Sequence, residues 1–585
     1  MPYFQKFPYV EVKTDLKVYA GWKQIILQIN SAASKINKKK KVIIIECYHG
    51  VFEDEIIREF SNGLNPELLI AAHSLYRNEN KIKEIVYPDV TDDRIFGYLT
   101  RLQIDAFFDE EKLIDAREKI SSIENGIVLI AGIGAAVIPT EYDLLIYADI
   151  ARWEIQLRMR KHEVNNIGVD NKNVEDWNLL YKQGYFVDWR VCDRLKKKLM
   201  HNWDFLLDTN NRHEPKLVEG KVVLDGLRQC LNRPFSLVPF FDPGPWGGQW
   251  MKEVCGLDKS AKNYAWCFNC VPEEESILFK IDECIIEIPS INLVFYNPQK
   301  LLGDSVYGRF GDEFPIRFDY LDTMSGGNLS LQVHPLTEYI QEKFGIHYTQ
   351  DESYYVMDAK KNAVVYLGLK EGINPEQMIN ELEEAQTEGK SFDVEKHVQS
   401  WIVKKHDHYL IPAGTVHCSG KDIVVLEIST TPYIFTFKLW DWERLGLDGK
   451  PRPINIARGK NVIQWNRIAS WTKENLVNQI KVISEGDGWI EEKTGLHKTE
   501  FIETRRHWFT KKVLHNTNGG VNVINLVEGN EIIIESPSRA FAPYIVHYAE
   551  TFIVPACVGE YSIRPYGKSE GEKCATIKAF VRTNA

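Results

Sequence analysis

The sequence lacks a hydrophobic run long enough to enter a membrane. A membrane-spanning helix requires roughly 18 or more consecutive apolar residues, and none of the 585 positions begins such a run. The first residues, MPYFQKFPYVEVKTD, also lack the continuous apolar core of a signal peptide. We therefore expect no membrane association and a cytoplasmic location.

Positive charge is also in short supply. The chain has 71 Lys and Arg residues against 82 Asp and Glu residues, a formal net charge of −11. Nucleic-acid-binding chains need basic faces for the phosphate backbone, so we expect no nucleic-acid partner. A small anionic substrate would require a local basic pocket.

The cysteines do not have the spacing of a disulfide-bonded or zinc-binding domain. The ten cysteines are scattered, and the one Cys-x-x-Cys pair is Cys267 with Cys270. A structural zinc site needs a second Cys or His pair, and disulfides are unexpected without an export signal. We interpret most of these residues as free thiols, with a redox or metal role for Cys267 and Cys270 as the minor alternative.

The first two hundred residues alternate apolar strands with amphipathic helices. VIIIECYHG from Val42, GIVLIAGIG from Gly126 and YDLLIYADI from Tyr142 have the apolar character of buried parallel strands. The Arg-rich segment ADIARWEIQLRMRKH that follows looks like the late strand and helix of P-loop nucleoside or uridine kinases. This predicts a kinase-like α/β domain with a parallel sheet over residues 1–215.

That domain lacks the phosphate-binding motif of a kinase. A P-loop needs Gly-x-x-x-x-Gly-Lys-Ser/Thr after the first strand, so that backbone N–H groups can surround a phosphate. The turn here, ECYHGVFEDE, has no lysine and carries Glu53, Asp54 and Glu55. GIGAA near Gly132 is only a fragment of a dinucleotide-binding fingerprint. We predict a degenerate domain without a Walker A motif, acting as a docking or regulatory module.

From Phe235 onward the chain consists of short β-type runs separated by Pro and Gly turns. This spacing predicts jelly-roll or barrel architecture. ETFIVPACVGEYSIRPYG echoes HYLIPAGTVHCSG, which indicates two such domains, at 216–454 and 455–585. In the second, Gly559, Glu560 and Tyr561 stand where the first has a histidine, so we expect it to be metal-free, with His507 and His547 as isolated structural residues. SWTKENLVNQIKVISEGDG, from Ser470, is predicted to be helical.

Four residues of the central region form a candidate metal site. Gln332 and His334 are two apart on a predicted strand, so their side chains share a face. Glu352 precedes the next strand, and His417 follows a Pro-Ala-Gly turn. Nitrogen and oxygen ligands without thiolates suit zinc or another borderline divalent ion in a site that remains open to substrate.

These motifs, in this order, resemble the class I mannose-6-phosphate isomerases, zinc-dependent cupin enzymes. The resemblance covers about Phe235 to Arg582 and rests on Gln-Val-His-Pro, Glu before Tyr-Tyr-Val-Met-Asp-Ala, Ile-Pro-Ala-Gly-Thr-Val-His and Val-Leu-Glu-Ile. It implies one Zn²⁺ per chain held by Gln332, His334, Glu352 and His417, and conversion of mannose 6-phosphate to fructose 6-phosphate through an enediol. The resemblance implies Glu427 as the base, and the alternative is that Glu427 is a paired structural carboxylate.

The resemblance also implies the surroundings of the substrate. Lys438 stands where the family has an active-site arginine, and Trp246 begins a Trp-Gly-Gly like one near the start of the family. Two basic positions of the family are lost, to Asp319 and to Gln350. Arg317 is the compensating cation on the same strand face as Asp319, and the further candidates for contact with an anion are Arg444 and Arg452.

Two functions remain open at this point. The first is a zinc-dependent aldose-ketose isomerase acting on a small sugar or sugar phosphate, with His406 and His408 as lower-ranked bases or partners of the ligands. The second is a non-catalytic cupin that binds sugar and acts as a sensor or regulator. The complete ligand set favours the enzyme, and the lost basic positions favour the sensor. The sequence does not indicate an oligomeric state.

Overall fold

The computed structural model describes residues 3–430, 433, 435–446, 449, 452, 454–495 and 497–583. The chain divides into two compact units. The α/β unit contains residues 9–229 and 276–296, and the β unit contains residues 1–8, 230–275 and 297–585. The predicted three-part division, with boundaries at residues 215 and 454, stays a prediction.

A seven-stranded sheet forms the centre of the α/β unit. The first two strands in the list that follows pair antiparallel, and the other five strands are parallel to one another. From edge to edge the strands are Tyr19–Ala20, Lys216–Glu219, Phe205–Asp208, Leu144–Asp149, Lys40–Cys47, Gly126–Gly132 and Leu68–Ala71. The α-helices of this unit are Trp22–Ser34, Glu53–Leu64, Glu79–Val90, Glu110–Ser122, Arg152–Arg160, Asn178–Gln183, Trp189–Leu199, Gly220–Leu231 and Ile291–Tyr296. The predicted parallel α/β layer is therefore correct, with Ile43, Ile44 and Ile45 fully buried in the middle strand.

The N–H groups that follow strand Gly126–Gly132 bind acids from strand Lys40–Cys47 and from the helix after it. Glu46 accepts hydrogen bonds from the backbone N–H groups of Gly134 (2.7 Å) and Ala136 (2.8 Å), and Glu53 accepts one from the N–H of Ile133 at 3.3 Å. These N–H groups therefore bind carboxylates of the chain. The kinase-like interpretation of this sheet stays a prediction.

A three-stranded sheet joins distant parts of the sequence within the α/β unit. Tyr9–Glu11 pairs in parallel with Ser276–Ile281, which pairs antiparallel with Cys284–Pro289. The backbone N–H of Glu287 donates to Asp208 at 2.9 Å. Residues 276–296 therefore complete a unit that begins almost three hundred residues earlier.

The β unit contains one arrangement of eight consecutive strands twice. The first set runs from Arg317–Asp322 to Ile423–Ser429, and the second from Ile502–Phe509 to Cys574–Val581. Corresponding strands have the same neighbours in both sets. We call the two sets the first and the second sandwich. Both strand sets lie in the one β unit, and the division of this region into two domains stays a prediction.

Each sandwich has a larger and a smaller sheet. The larger sheet of the first contains, in order, His408–Ile411, Glu352–Ala359, Ile423–Ser429, Arg317–Asp322, Trp266–Phe268 and Phe240–Asp242, and its smaller sheet contains Val398–Ile402, Val364–Leu369, His417–Ser419, Leu331–Val333 and Phe437–Trp440. The larger sheet of the second contains Thr551–Val554, Asn522–Glu528, Cys574–Val581, Ile502–Phe509, Trp489–Gly495 and Lys481–Gly486, and its smaller sheet contains Tyr544–His547, Glu531–Glu535, Glu560–Pro565 and Val513–Asn516. Phe509, Leu526, Ile534 and Ile563 belong to one apolar core shared by both sheets of the second sandwich.

Apart from Pro375–Glu388, which has 14 residues, the described helices of the β unit have eight residues or fewer. The helices are Trp250–Val254, Pro298–Leu302, Asp304–Phe310, Thr337–Phe344, Pro375–Glu388, Val394–His397, Ile456–Gly459 and Ala469–Asn475. The helix predicted from Ser470 is wrong beyond Asn475, because Lys481–Gly486 instead forms a hairpin with Trp489–Gly495. In the described part of the chain, no helix combines the length and apolar character needed to cross a membrane.

Candidate metal centre

Three of the four predicted ligands converge between the sheets of the first sandwich. Glu352 Oε2 lies 3.1 Å from His334 Nε2, and Glu352 Oε1 lies 2.8 Å from His417 Nε2. The amide nitrogen of Gln332 lies 3.2 Å from the same His417 nitrogen. His334, Glu352 and His417 form a group that could hold a metal ion, with one ligand atom from each lying within 4.8 Å of the others.

The strand register brings these side chains together. Gln332, in Leu331–Val333, is the direct partner of His417, the first residue of His417–Ser419. Glu352 begins a strand of the opposite sheet. The side chains of all four residues are almost completely buried, with Gln332 the most exposed at 7%.

Backbone carbonyls orient both imidazoles. His334 Nδ1 is 2.8 Å from the carbonyl oxygen of Phe435, and His417 Nδ1 is 2.9 Å from that of Thr415. A carbonyl only accepts, so each Nδ1 carries a proton and each Nε2 is directed toward Glu352. This is the usual arrangement of a metal-binding histidine.

The charges of this group are mutually dependent. Burial acts to raise the pKa of Glu352, but the two imidazoles outweigh burial and hold that pKa well below its usual range. Burial acts to lower the pKa of His334, and the charge of Glu352 outweighs it and raises that pKa. A cation between these groups would take over the role of the shared proton.

Two buried atoms of the group lack the hydrogen bonds that buried polar atoms normally make. Among the described residues, neither His334 Nε2 nor Glu352 Oε1 has a hydrogen-bond partner, although both are inaccessible to water. An orphaned buried polar atom is unfavourable by about 1–3 kcal/mol. Nitrogen and oxygen donors directed at one point therefore fit a divalent ion such as zinc.

Two further acids share the face of the sheet on which Glu352 lies. Asp319, Glu427 and Tyr354 form one row across three neighbouring strands, and the next row contains Arg317 and Glu352. Burial and the charge of Glu352 raise the pKa of Asp319 to about 8. Burial, Asp319 and Glu352 raise the pKa of Glu427 well above its usual value. The predicted base thus lies beside the ligand group.

The predicted anion-binding arginines are paired with carboxylates of the chain. Arg317 forms an ion pair with Glu273 at 2.9 Å. Arg444 and Arg452 both bind Asp441, at 2.6 and 2.8 Å. Lys438 is the register partner of Gln332 and so lies on the same sheet face as this candidate ligand.

The other predicted residues lie in different surroundings. Trp246 is buried with its ring 4.7 Å from that of Trp266. His408 pairs with Tyr355, one residue from Tyr354, and therefore lies on the sheet face opposite the ligands. His406 hydrogen-bonds Tyr355 and contacts Glu528 of the second sandwich. Neither histidine is a partner of the ligand group.

Sequence reasoning did not assign two residues as contacts of the ligands, although it noted Gln350 as a position where the family has a basic residue. Gln350 donates to Glu352 Oε2 at 2.9 Å and accepts from the N–H of Phe435 at 3.2 Å. The ring of Tyr354 meets that of His417 at 5.8 Å. Alternation along the strand would have indicated Tyr354, because it is two residues after Glu352.

His507 has a carboxylate partner, as expected of a hydrogen-bonded structural residue, and it also lies beside a second histidine. Its Nε2 is 3.0 Å from Glu491, and its ring is 4.5 Å from that of His515, which the sequence did not single out. His547 pairs with Glu550 at 3.1 Å, as a structural residue would. Cys267 and Cys270 are buried free thiols.

The comparisons with known proteins concern different parts of the chain. A family model described as a domain of unknown function (DUF8485) matches residues 21–232. The "Putative mannose-6-phosphate isomerase YvyI" of Bacillus subtilis strain 168 is 25% identical over 279 residues, which cover 46% of this chain and 75% of YvyI. Mannose-6-phosphate isomerase ManA of the same strain is 29% identical over 154 residues, covering 26% of this chain and 45% of ManA.

A similarity to solved structures is also present. The crystal structure of the mannose 6-phosphate isomerase from Bacillus subtilis aligns with a TM-score of 0.48 and 18% identity, covering 59% of this chain and 99% of that one.

Proposed function

We propose that this chain is a zinc-dependent aldose-ketose isomerase that converts mannose 6-phosphate to fructose 6-phosphate. The observation that carries the proposal is the buried convergence of His334, Glu352 and His417. The similarity to mannose-6-phosphate isomerases named above supports the same reaction.

One Zn²⁺ per chain would be held by His334, Glu352 and His417, with Gln332 as the fourth ligand. The donor set fits the ion for the reasons given above, including the orphaned His334 Nε2 and Glu352 Oε1. When bound, the ion supplies Lewis acidity that polarises a sugar oxygen. Gln350 holds Glu352 Oε2 in place and so acts as a positioning residue.

Isomerisation moves a proton between neighbouring carbons of the sugar, and Glu427 is our candidate for the group that carries it. Its carboxyl is buried on the same sheet face as Glu352, in a setting that raises its pKa. A carboxyl with a raised pKa exchanges protons more readily near neutral pH. Burial of this face also keeps water from the intermediate.

Four residues are proposed to bind the remainder of the substrate. Lys438 lies on the face shared with Gln332 and is our candidate to stabilise negative charge on a sugar oxygen. Arg317 and Arg444 would approach the anionic end, and Trp246 would contribute an aromatic wall. Because Arg317 and Arg444 are each paired with a carboxylate, their net attraction for a phosphate is reduced.

That pairing favours the second candidate, a sugar-binding sensor without catalysis, and one experiment separates the two. Bound metal is measured in the purified full-length protein, and mannose 6-phosphate, mannose and fructose 6-phosphate are then offered as substrates. Metal near one equivalent with turnover of the phosphorylated sugars supports the isomerase. Metal without turnover of any sugar would reject it in favour of the sensor.

We keep the three-part organisation as a proposal: a kinase-like domain at 1–215, a catalytic cupin at 216–454 and a metal-free cupin at 455–585. The repeat of eight strands supports the boundary between the two cupins. The first part has no proposed catalytic activity, because the turn after Lys40–Cys47 lacks the P-loop residues and carries Glu53, Asp54 and Glu55.

A further inference from the structure

The strand repeat allows the two sandwiches to be compared residue by residue. In the first, Gln332 pairs with His417, whose imidazole contacts Glu352. In the second, His515 pairs with Tyr561, whose hydroxyl donates to Asn522 at 2.8 Å. Glu352 and Asn522 each begin the corresponding strand. The interior of the second sandwich therefore has polar groups at the positions of the candidate metal centre.

The neighbouring row of the larger sheet carries the opposite charge in the two sandwiches. In the first the row is Asp319, Glu427 and Tyr354. In the second, the corresponding residues are Arg505, Lys578 and Ile524, paired in the same order. Because Ile524 belongs to the apolar core and alternation sets the face, Lys578 also lies on the inner face. Two acids of the first interior are thus replaced by two bases.

Four polar groups of this interior have no partner in the described part of the chain. Lys578 is 7% exposed and contacts a ring, that of Phe580, but no hydrogen-bond acceptor or carboxylate. Thr576 Oγ1, His507 Nδ1 and His515 Nε2 are likewise buried without a hydrogen-bond partner. Thr576 is the register partner of His507. Buried polar atoms are normally paired, so three orphaned atoms beside an ammonium that has no acceptor indicate a missing ligand.

The charges of the cluster leave one positive charge unmatched. Arg505 pairs with both Glu491 and Glu503, and Lys493 pairs with Glu503. The cluster thus has three cations, Arg505, Lys493 and Lys578. Its two carboxylates, which are Glu491 and Glu503, offset only two of these charges. His507 and His515 do not add to the total near neutral pH, because burial lowers the pKa of each imidazole and the charge of Lys578 lowers both further.

The hydrogen-bond roles refine the chemistry of the ligand. His507 Nε2 faces Glu491 and therefore carries the proton in the neutral ring, which leaves Nδ1 as an acceptor. The ammonium of Lys578 donates hydrogen bonds, and the hydroxyl of Thr576 can donate or accept one. A ligand that fits has a negatively charged oxygen for Lys578 and an O–H group for His507.

We propose that the interior of the second sandwich is a binding site for a small oxyanion that also bears an O–H group, at the place where the first sandwich has its candidate metal centre. Lys578, Thr576, His507 and His515 are its contacts. Hydrogen phosphate and a hydroxycarboxylate share this chemistry. The site is independent of the proposed isomerase activity.

The test is calorimetric titration of the full-length protein with inorganic phosphate and, separately, with gluconate. Lys578→Met removes the unmatched charge and is compared with Lys498→Met, which removes an exposed charge of the same sandwich. We expect saturable binding that Lys578→Met weakens about tenfold or more and Lys498→Met leaves unchanged, since hydrogen bonds to charged groups are the strong ones. Thr576→Val, which keeps every charge, should weaken binding several-fold and decides the matter if Lys578→Met does not fold.

Binding of phosphate alone assigns the site to phosphates, and binding of gluconate alone assigns it to hydroxycarboxylates; either supports the proposal. Equal affinity in Lys578→Met and Lys498→Met would overturn it, because the anion would then bind elsewhere. Absence of saturable binding of both anions at millimolar concentrations would overturn it as well.

Discussion

The unmatched ammonium of Lys578 makes the second sandwich less stable than it would be with an apolar residue there. Burial lowers the pKa of Lys578 from 10.5 to about 8, against a smaller opposing effect of Glu491. At about 1.4 kcal/mol per tenfold change in proton affinity, this lowering of the pKa corresponds to about 3 kcal/mol of lost folding free energy at neutral pH. Lys578→Met should therefore stabilise the second sandwich by up to about 3 kcal/mol in anion-free buffer.

The pH dependence has a definite sign. Below pH 8 the lysine is charged in both the folded and the unfolded chain, and the loss is complete. Between pH 8 and 10.5 the folded protein releases the proton first, so the stability of the wild type rises with pH. The advantage of Lys578→Met should accordingly fall to about 1.4 kcal/mol near pH 9.5.

Urea denaturation read by a short pulse of proteolysis measures this locally, because mass spectrometry reports cleavage inside residues 502–581 separately from the rest of the chain. Lys498→Met is the control for loss of a surface charge. A midpoint for Lys578→Met at or below that of Lys498→Met at pH 7 would show that the ammonium is not isolated as described.

Three other expectations concern the remaining parts of the molecule. Glu352→Ala should lose bound metal, whereas Glu427→Gln should retain it and slow turnover about 10²- to 10⁴-fold; metal analysis and initial rates decide this, and normal turnover of Glu427→Gln would exclude it as the base. Asp149→Ala strands the fully buried Lys196, whose ammonium is 2.8 Å from Asp149, and should destabilise the α/β unit by about 3–5 kcal/mol in the same proteolysis assay; an unchanged midpoint would contradict a desolvated ion pair. ATP should fail to bind in an equilibrium titration, since the turn after Lys40–Cys47 has no P-loop lysine and carries Glu53, Asp54 and Glu55; micromolar affinity would refute this.

Short sequence patterns predicted those strands whose apolar content or alternation is visible within a few residues. The buried run of Lys40–Cys47 follows from strand geometry, which apolar content predicts directly. Gln332 lies in a strand as predicted, whereas His334 lies one residue beyond the end of that strand. The helix predicted from Ser470 failed because its second half pairs with Trp489–Gly495, and a propensity argument does not include the partner strand.

Local sequence patterns did not predict contacts between residues that are distant in the sequence. Arg317 was predicted to compensate for a lost basic position, but Glu273, 44 positions earlier, is its ion-pair partner. His515 lies beside His507 only because Val513–Asn516 crosses to the smaller sheet. The charge reversal between Glu427 and Lys578 became visible only once the register of both sandwiches was known.

The hairpin within residues 276–296 has a consequence for synthesis of the chain. The α/β unit is encoded in two pieces, and 46 residues of the β unit, 230–275, separate them. At about 5–20 residues per second, a ribosome needs roughly 3–13 s to pass from residue 229 to residue 296. During that interval Lys196 lacks Asn292 and Asp208 lacks the N–H of Glu287. The surroundings of the Lys196–Asp149 ion pair are therefore completed only after part of the β unit has been synthesised.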